Sequence, residues 1–215
     1  MMKKLFALLF ALLCLTCGYA QKDDASVKLL NQLSAKYKNS TGTRIQVKIA
    51  IDDTKTKTHQ GVSGTLTAKG RKFHLATQAA TLLFDGKSLY TYSKQSNEVT
   101  ISEPEQEEVE SLDPTAVLSS YKTGYKIDKP EEGMRMGHKT ALIKLYPEDL
   151  DESFFKVEML IDVDANMPLS ITTYSKNGVT NCISILSIET NLTIPDKEFA
   201  FSNDRFPGAE IVDIR

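Results

Sequence analysis

Residues 64–101, GTLTAKGRKFHLATQAATLLFDGKSLYTYSKQSNEVTI, decide the fold class of this chain. Apolar and polar residues alternate in short runs separated by turn residues, a pattern typical of strands with one apolar and one polar face. The Asp85-Gly86 pair predicts a hairpin, because a type I′ turn needs positive φ angles. The stretch carries no nucleophile motif, metal cluster or phosphate loop. It therefore predicts a one-sided sheet that works by holding something apolar.

The rest of the chain extends this sheet and adds helices. Apolar residues at helical spacing predict a first helix over residues 22–38, and Asp113-Pro114 predicts the start of a second. Strand-like alternation starts at residue 43 and is found again between residues 125 and 190. In the last long strand the apolar residues fall on both faces, and a β-bulge there would bring them to one face. The predicted class is α+β, with about eleven mainly antiparallel strands and two or three helices.

The first twenty residues have the pattern of a secretory signal peptide. Two lysines precede an apolar run over residues 5–15, and the small residues Gly18 and Ala20 lie three and one positions before Gln21, so cleavage is expected after Ala20. A lipid anchor at Cys14 or Cys17 is the minor alternative, because neither Leu13 nor Thr16, the residues before them, fits a lipoprotein signal well. We therefore expect export to the periplasm, with residues 1–20 as the signal peptide and residues 21–215 as one domain.

Charge and cysteine content exclude several classes of protein. The chain has 26 Lys and Arg against 28 Asp and Glu, and this mild acidic balance argues against nucleic-acid binding. Two of the three cysteines lie in the predicted signal peptide, so Cys182 has no partner for an internal disulfide. The hydrophobic core alone must then hold the fold together.

Candidate chemical motifs fail on spacing or context. The three histidines, His59, His74 and His138, share no metal-ligand spacing, and His74 falls on the polar face of its strand. Residues 162–166 copy the first half of an EF-hand loop but lack its later Gly and Glu, so they predict a hairpin turn. The Ser-x-x-Lys spacing at residues 153–156 falls on a strand, not on the helix that this motif needs. We expect no catalytic residue, no metal and no cofactor, and therefore no enzyme.

The order of the remaining motifs resembles one known family. Residues 64–75 give G-x-L-x-x-K followed by Phe-x-Leu, and residues 85–92 give D-G-K-x-L-Y-x-Y ahead of a Pro-bearing helix. Near the end, Pro195-Asp196 precedes Phe199-x-Phe201 and then Pro207-Gly208. This order resembles the LolA family of periplasmic carriers of outer-membrane lipoproteins, over nearly all of the chain beyond the signal peptide.

The resemblance implies both a fold and a function. The implied fold is an incomplete antiparallel β-barrel, lidded by helices around an apolar cavity. The implied function is a monomeric chaperone that binds the acyl chains of lipoproteins and carries them from the inner to the outer membrane. Its implied partners are acylated lipoproteins, an inner-membrane lipoprotein-release complex and an outer-membrane acceptor. A binding module of the same fold for another lipid or glycolipid, or an envelope-stress sensor, is the alternative.

The resemblance and the alternation together predict the ligand-binding residues. The family carries an arginine that controls the lid, in the loop before its Phe-x-Leu strand. The equivalent position here is Gly70, so the resemblance implies that the neighbouring Arg71 has this role. Val117 and Leu118 are predicted to line the helical lid. The residues predicted to line the sheet side of the cavity are Phe73, Leu75, Phe84, Leu89, Val99, Ile101, Phe155, Val157, Met159 and Ile171.

Overall fold

The computed structural model describes residues 22–105, 121 and 123–215. Within them the chain forms one α-helix, thirteen strands and two short 3-10 helices. The bounds are α1 Asp24–Lys38, β1 Thr43–Asp53, β2 Thr58–Lys69, β3 Lys72–Thr77, β4 Ala80–Phe84, β5 Leu89–Ser93, β6 Glu98–Ser102, β7 Tyr125–Ile127, β8 Glu131–Arg135, β9 His138–Pro147, β10 Phe154–Asp162, β11 Met167–Ser175, β12 Val179–Glu189, the 3-10 helices Asp196–Phe199 and Asn203–Arg205, and β13 Glu210–Asp213.

All thirteen strands belong to one open sheet. Its order is β13-β6-β5-β4-β3-β2-β1-β12-β11-β10-β9-β7, and β8 pairs with β9 outside this path. Every pairing is antiparallel except that of β13 with β6. The end strands β13 and β7 do not pair with each other in the described part of the chain, so the sheet stays unclosed, as in an incomplete barrel. The prediction of about eleven strands missed β8 and β13, and the second predicted helix lies outside the described residues.

The helix α1 forms where the sequence predicts it. The carboxylate of Asp23 caps its first turn by accepting the backbone N–H groups of Ala25 and Ser26, at 3.0 and 3.1 Å. Its buried stripe consists of Ser26, Leu30, Leu33, Ser34 and Tyr37, which recur at helical spacing. Among the residues that the structure describes, no helix has both the length and the apolar character needed to span a bilayer.

One face of the sheet is apolar across nine strands, from β5 through β1 to β9; we call it the apolar face. Cross-strand pairs build two rows on it. The first row joins Leu82, Leu75, Leu66, Ile45 and Ile188. The second row joins Ile49, Ile183, Ile171, Met159 and Ile143. The helix α1 packs over the β9–β12 part of this face, and Ile188 contacts the core clusters of both halves.

A β-bulge in β12 keeps this face apolar, as predicted. The pairing with β1 shifts between Gln46 and Val47, so Leu186 has no partner in the register and is 60% exposed. Ile185 and Ile188, on either side of the bulge, then both point to the apolar face. The extra residue explains why the sequence of this strand shows two conflicting alternations.

The β4–β5 hairpin is present, but its turn is not the predicted type I′. Four residues, from Asp85 to Ser88, join the strands, and only Gly86 has a positive φ, of +103°. The carboxylate of Asp85 accepts the backbone N–H groups of Lys87 and Ser88 at 2.9 and 2.8 Å. The aspartate therefore shapes this loop through its side chain, as in an Asx-turn.

The C-terminal segment, residues 194–215, covers the opposite face of the sheet over β3–β6. Phe206 packs against a buried cluster on this face, and the ring of Tyr90 stacks on Phe201 at a centroid distance of 4.9 Å and an interplanar angle of 4°. The ring of Tyr92 lies 4.6 Å from that of Phe206. The sheet thus carries apolar residues on both faces at this end.

Candidate functional site

Seven of the predicted lining residues lie together on the apolar face. The β3–β5 members belong to one core cluster, and the β10–β11 members belong to the cluster under α1. Most are buried, while Leu75 and Val157 are partly exposed. The seven are Phe73, Leu75, Phe84, Leu89, Val157, Met159 and Ile171.

Two predicted lining residues lie on the opposite face. In the β5–β6 pairing, Val99 stands opposite Tyr92 and Ile101 opposite Tyr90. Both aliphatic residues are buried against Phe206 of the C-terminal segment. The prediction that they share a wall with the β3 residues is therefore wrong. The neighbouring strand β5 carries apolar or aromatic side chains on both faces, so alternation alone does not tell which of these faces β6 continues.

A third predicted lining residue, Phe155, is displaced by a bulge. The β10–β11 register skips it between Phe154 and Lys156, and it is 49% exposed, with its ring 6.2 Å from that of Tyr174. Its neighbour Phe154 instead stacks on Tyr125, at 6.4 Å, beside the cluster under α1. The bulge has exchanged the two phenylalanines between the faces.

The predicted lid residues receive little structural support. Val117 and Leu118 lie outside the described residues. Arg71 is exposed at the β2–β3 turn and forms no hydrogen bond or ion pair with the part of the chain that the structure describes. Its role in lid control stays a prediction from the resemblance.

The lysines that flank this turn contact the C-terminal segment. The Nζ atoms of Lys69 and Lys72 lie 3.0 and 3.6 Å from Oδ1 of Asp196, and Lys69 also donates to the carbonyl of Ile194 at 2.9 Å. The hydrogen bond from Lys69 holds the pKa of the Asp196 carboxyl below its usual value. The β2–β3 turn is thus tied to the C-terminal segment on the face opposite the apolar face.

The same segment changes the environment of His74. This histidine was predicted to face solvent, yet its side chain is largely covered and its Nδ1 lies 2.9 Å from Oε1 of Glu198. A nearby cleft of about 360 Å³ lies between the sheet and the segment, with Lys72, Tyr90 and Phe201 among its lining residues. Sequence periodicity could not reveal this coverage, because the covering residues are more than one hundred positions away.

Within the part of the chain that it describes, the structure also assembles one set of cation-ligand side chains. Nδ1 of His138 lies 3.2 Å from Oδ2 of the buried Asp162, and donor atoms of these two residues and Asp164 all lie within 4.8 Å of one another. Backbone N–H groups already occupy part of the set: Ala165 donates to Asp162 at 2.8 Å and Lys139 to Asp164 at 3.0 Å. These contacts fasten the β10–β11 turn to β9. The pairing of β9 with β10 brings the three side chains together. The spacing of the histidines along the sequence could not predict this, because it does not record how the two strands pair.

One polar atom lies unpaired beneath α1. Tyr37 is 5% exposed within the apolar cluster there, and its hydroxyl has no hydrogen-bond partner among the described residues. Burial raises the pKa of this hydroxyl to about 12. Tyr121, in the same cluster, donates its hydroxyl to Oδ1 of Asn31 at 3.0 Å. Helical spacing in the sequence groups Tyr37 with the apolar residues of α1 and gives no sign of the unpaired hydroxyl.

The family described as outer membrane lipoprotein carrier protein LolA matches residues 16–173, nearly three quarters of the chain. The chain belongs to the LolA family. A curated relative, an uncharacterized protein of Methanocaldococcus jannaschii, is 26% identical over 139 residues, which cover 62% of this chain. The match spans only 38% of the length of that relative.

A solved structure of another protein shares the fold at low identity. An uncharacterized conserved protein from Thermus thermophilus superposes with a TM-score of 0.58 at 11% identity, covering 88% of this chain and 99% of its own. A LolA superfamily protein from Nitrosomonas europaea superposes with a TM-score of 0.41 at 10% identity, covering 81% of this chain and 97% of its own. The first of these similarities establishes the fold and nothing about the cargo.

Proposed function

We propose that this protein is a non-enzymatic carrier of the cell envelope, which shields the acyl chains of lipoproteins between the inner and the outer membrane. The observation that supports it is the apolar face, with its two aliphatic rows across eight strands. Membership of the LolA family supports the same function. The protein acts in the periplasm as a monomer after removal of residues 1–20.

The energetics of acyl chains favour such a carrier. Each methylene group exposed to water costs about 0.8 kcal/mol, so two or three long chains represent tens of kcal/mol and hold a lipoprotein in its first membrane. A carrier must offer comparable apolar surface. Five aliphatic residues on the apolar face are only partly buried and still offer such surface: Ile49, Leu75, Leu82, Ile183 and Ile185.

The division between sheet and helix suggests how cargo enters and leaves. Hydrogen bonds between neighbouring strands hold the sheet as a stable wall. The helix α1 rests on it mainly through Leu30, Leu33 and Tyr37, side-chain contacts that can separate without breaking the sheet. In this proposal α1 acts as part of the lid, an inner-membrane release complex loads the lipoprotein, and an outer-membrane acceptor removes it.

Substitutions on the two faces test the proposed site. Leu82→Asp and Ile183→Asp place a carboxylate on the apolar face, and we expect each to weaken binding of a fluorescent acyl probe by at least about tenfold. Leu186→Asp is the matched control, because this exposed bulge residue lies off the apolar face. Circular dichroism checks that all three variants fold. If the first two fold and bind the probe as well as the parent, the proposed site is wrong.

The cargo itself needs a test in cells. We expect native mass spectrometry of the protein purified from the periplasm to reveal a bound acylated lipoprotein. Depletion of the protein should then leave lipoproteins in the inner membrane. A co-purifying glycolipid would instead support the alternative carrier, and an envelope-stress phenotype without lipoprotein retention would support the sensor.

A further inference from the structure

The hydroxyl of Tyr37 is an exception within a well-paired interior. Of the buried side-chain nitrogen and oxygen atoms in the described part of the chain, it alone has no hydrogen-bond partner. Burying such a group unpaired costs about 1–3 kcal/mol, so native proteins rarely retain one without a role. A phenylalanine would fill the same place on α1 without this cost.

We propose that the Tyr37 hydroxyl donates a hydrogen bond to a carbonyl oxygen of the bound lipid, and so selects ester-linked or amide-linked acyl chains over plain hydrocarbon and ether chains. The inference rests on the proposed function and names a determinant of its ligand class. Tyr37 here is a specificity residue, and it belongs to the α1 stripe that covers the apolar face.

The surroundings of the hydroxyl favour a carbonyl over water as its partner. A buried water needs two to four polar partners, and the cluster around Tyr37 is built mainly from aliphatic side chains such as Leu30, Leu33 and Ile161. A lipid carbonyl needs only one donor, and its attached chain gains from the same apolar surroundings. Since the pKa of the hydroxyl is raised to about 12, the group keeps its proton, and hence its donor role, throughout the physiological range.

The test compares two probes of equal chain length, a fluorescent diacylglycerol lipid with ester links and its dialkyl analogue with ether links. We expect Tyr37→Phe to weaken binding of the ester probe about five- to tenfold and to leave binding of the ether probe unchanged. The unbound variant should unfold at the same urea concentration as the parent or higher, because an unpaired buried hydroxyl has been removed. Tyr121→Phe is the control, since it loses its bond to Asn31 and should keep the ester-to-ether ratio of the parent.

Each outcome has a distinct meaning. If the parent binds both probes and Tyr37→Phe leaves their ratio unchanged, the inference is wrong while the proposed function stands. If the parent binds neither probe, the proposed function fails and the inference fails with it. Should Tyr37→Phe not fold, the carbonyl stretch of a ¹³C-labelled ester probe bound to the parent decides. A shift to the frequency of a hydrogen-bonded ester supports the inference, and the frequency of a free ester contradicts it.

Discussion

Met136 adopts a backbone conformation that its residue type does not favour. Together with Gly137 it forms the two-residue turn between β8 and β9, where their φ angles are +52° and +84°. These are the angles of a type I′ turn, for which Asn-Gly is the preferred pair. The Met136 side chain is 97% exposed, so no packing offsets the strain.

We therefore expect Met136→Asn to raise the free energy of unfolding by about 0.5–1 kcal/mol, measured by urea denaturation. Met134→Asn is the control, because it changes an exposed methionine within β8, where asparagine is slightly unfavourable. Equal effects of the two substitutions would contradict an origin in the backbone conformation.

Gly64 occupies a place where no side chain fits. A Cβ atom there would lie 2.9 Å from the carbonyl oxygen of Ala76 and 3.0 Å from Cγ2 of Thr77. Gly64→Ala should lower the free energy of unfolding by about 1–3 kcal/mol through overpacking. Gly61→Ala, on the same strand, meets only the carbonyl of Ile49 at 3.9 Å and should be neutral or stabilising by about 0.5 kcal/mol. Similar unfolding midpoints for the two variants would refute the steric argument.

Single-residue bulges mark the limit of sequence reasoning at this scale. In β12 the bulge at Leu186 could be predicted, because the apolar residues on its two sides follow opposite alternations. In β10 the bulge at Phe155 could not, because Phe154 and Phe155 are identical and either fits either face. Sequence alternation detects an insertion only when it moves a residue of different polarity.

At the scale of elements, the helix α1 and the long strands were predictable because each carries its own signal. Asp23 and the buried stripe define α1, and alternation defines β1 and β9–β11. The strands β8 and β13 carry no such signal: all five residues of β8 are exposed, and β13 has four residues and pairs only with β6. These two strands form by pairing with strands that are already in place. A local sequence pattern does not predict them, because it carries no information about the partner strand.

The C-terminal segment is held partly by charge, and its attachment should depend on pH. The pKa of Asp196 is lowered by the hydrogen bond from Lys69 and by the charges of Lys69 and Lys72. The carboxylate therefore stabilises the attachment of the segment fully above the usual pKa of 3.8, and this stabilisation is lost as the pH falls through the lowered pKa. We expect the amides of the segment to have lower protection factors, each relative to the unstructured chain at the same pH, below about pH 4 than at pH 7.

A substitution separates this contact from general acid unfolding. Asp196→Asn should lower the protection factors of the segment already at pH 7 and remove much of their pH dependence, while those of β9–β12 stay unchanged. Asp204→Asn is the control, because it removes a carboxylate from the same segment away from the two lysines. If both variants exchange like the parent, the lysine contacts do not hold the segment.

At the scale of the whole molecule, the sequence predicted an open sheet with one binding face and missed what covers the other. The apolar face follows from alternation within single strands. The opposite face is covered through Tyr90 on Phe201 and Tyr92 on Phe206, contacts between residues more than one hundred positions apart. For this reason Val99 and Ile101 were assigned to the wrong wall, whereas the other seven predicted residues share the apolar face, and their contact with a ligand stays a prediction.

Both faces contribute to the stability of the molecule in alkali. Burial raises the pKa of Tyr37, on the α1 side, to about 12, and a hydrogen bond to Glu158 raises that of Tyr174, on the other face, to about 12. In both cases the folded protein favours the neutral phenol over the phenolate. The resulting contribution to the free energy of unfolding is complete below the ordinary pKa of 10.0 and is lost as the pH rises toward 12. The free energy of unfolding should therefore be flat from pH 8 to about 10 and fall above it.

Urea denaturation between pH 8 and 12 measures this fall and assigns it. Tyr174→Phe should make the decline shallower, and the double variant with Tyr37→Phe shallower still, because the two tyrosines do not share partners and their effects should add. Tyr174→Phe also gives up its bond to Glu158, so it should begin from a lower stability at pH 8, whereas Tyr37→Phe should not. A decline equally steep in the parent and the double variant would show that other groups control the alkaline transition.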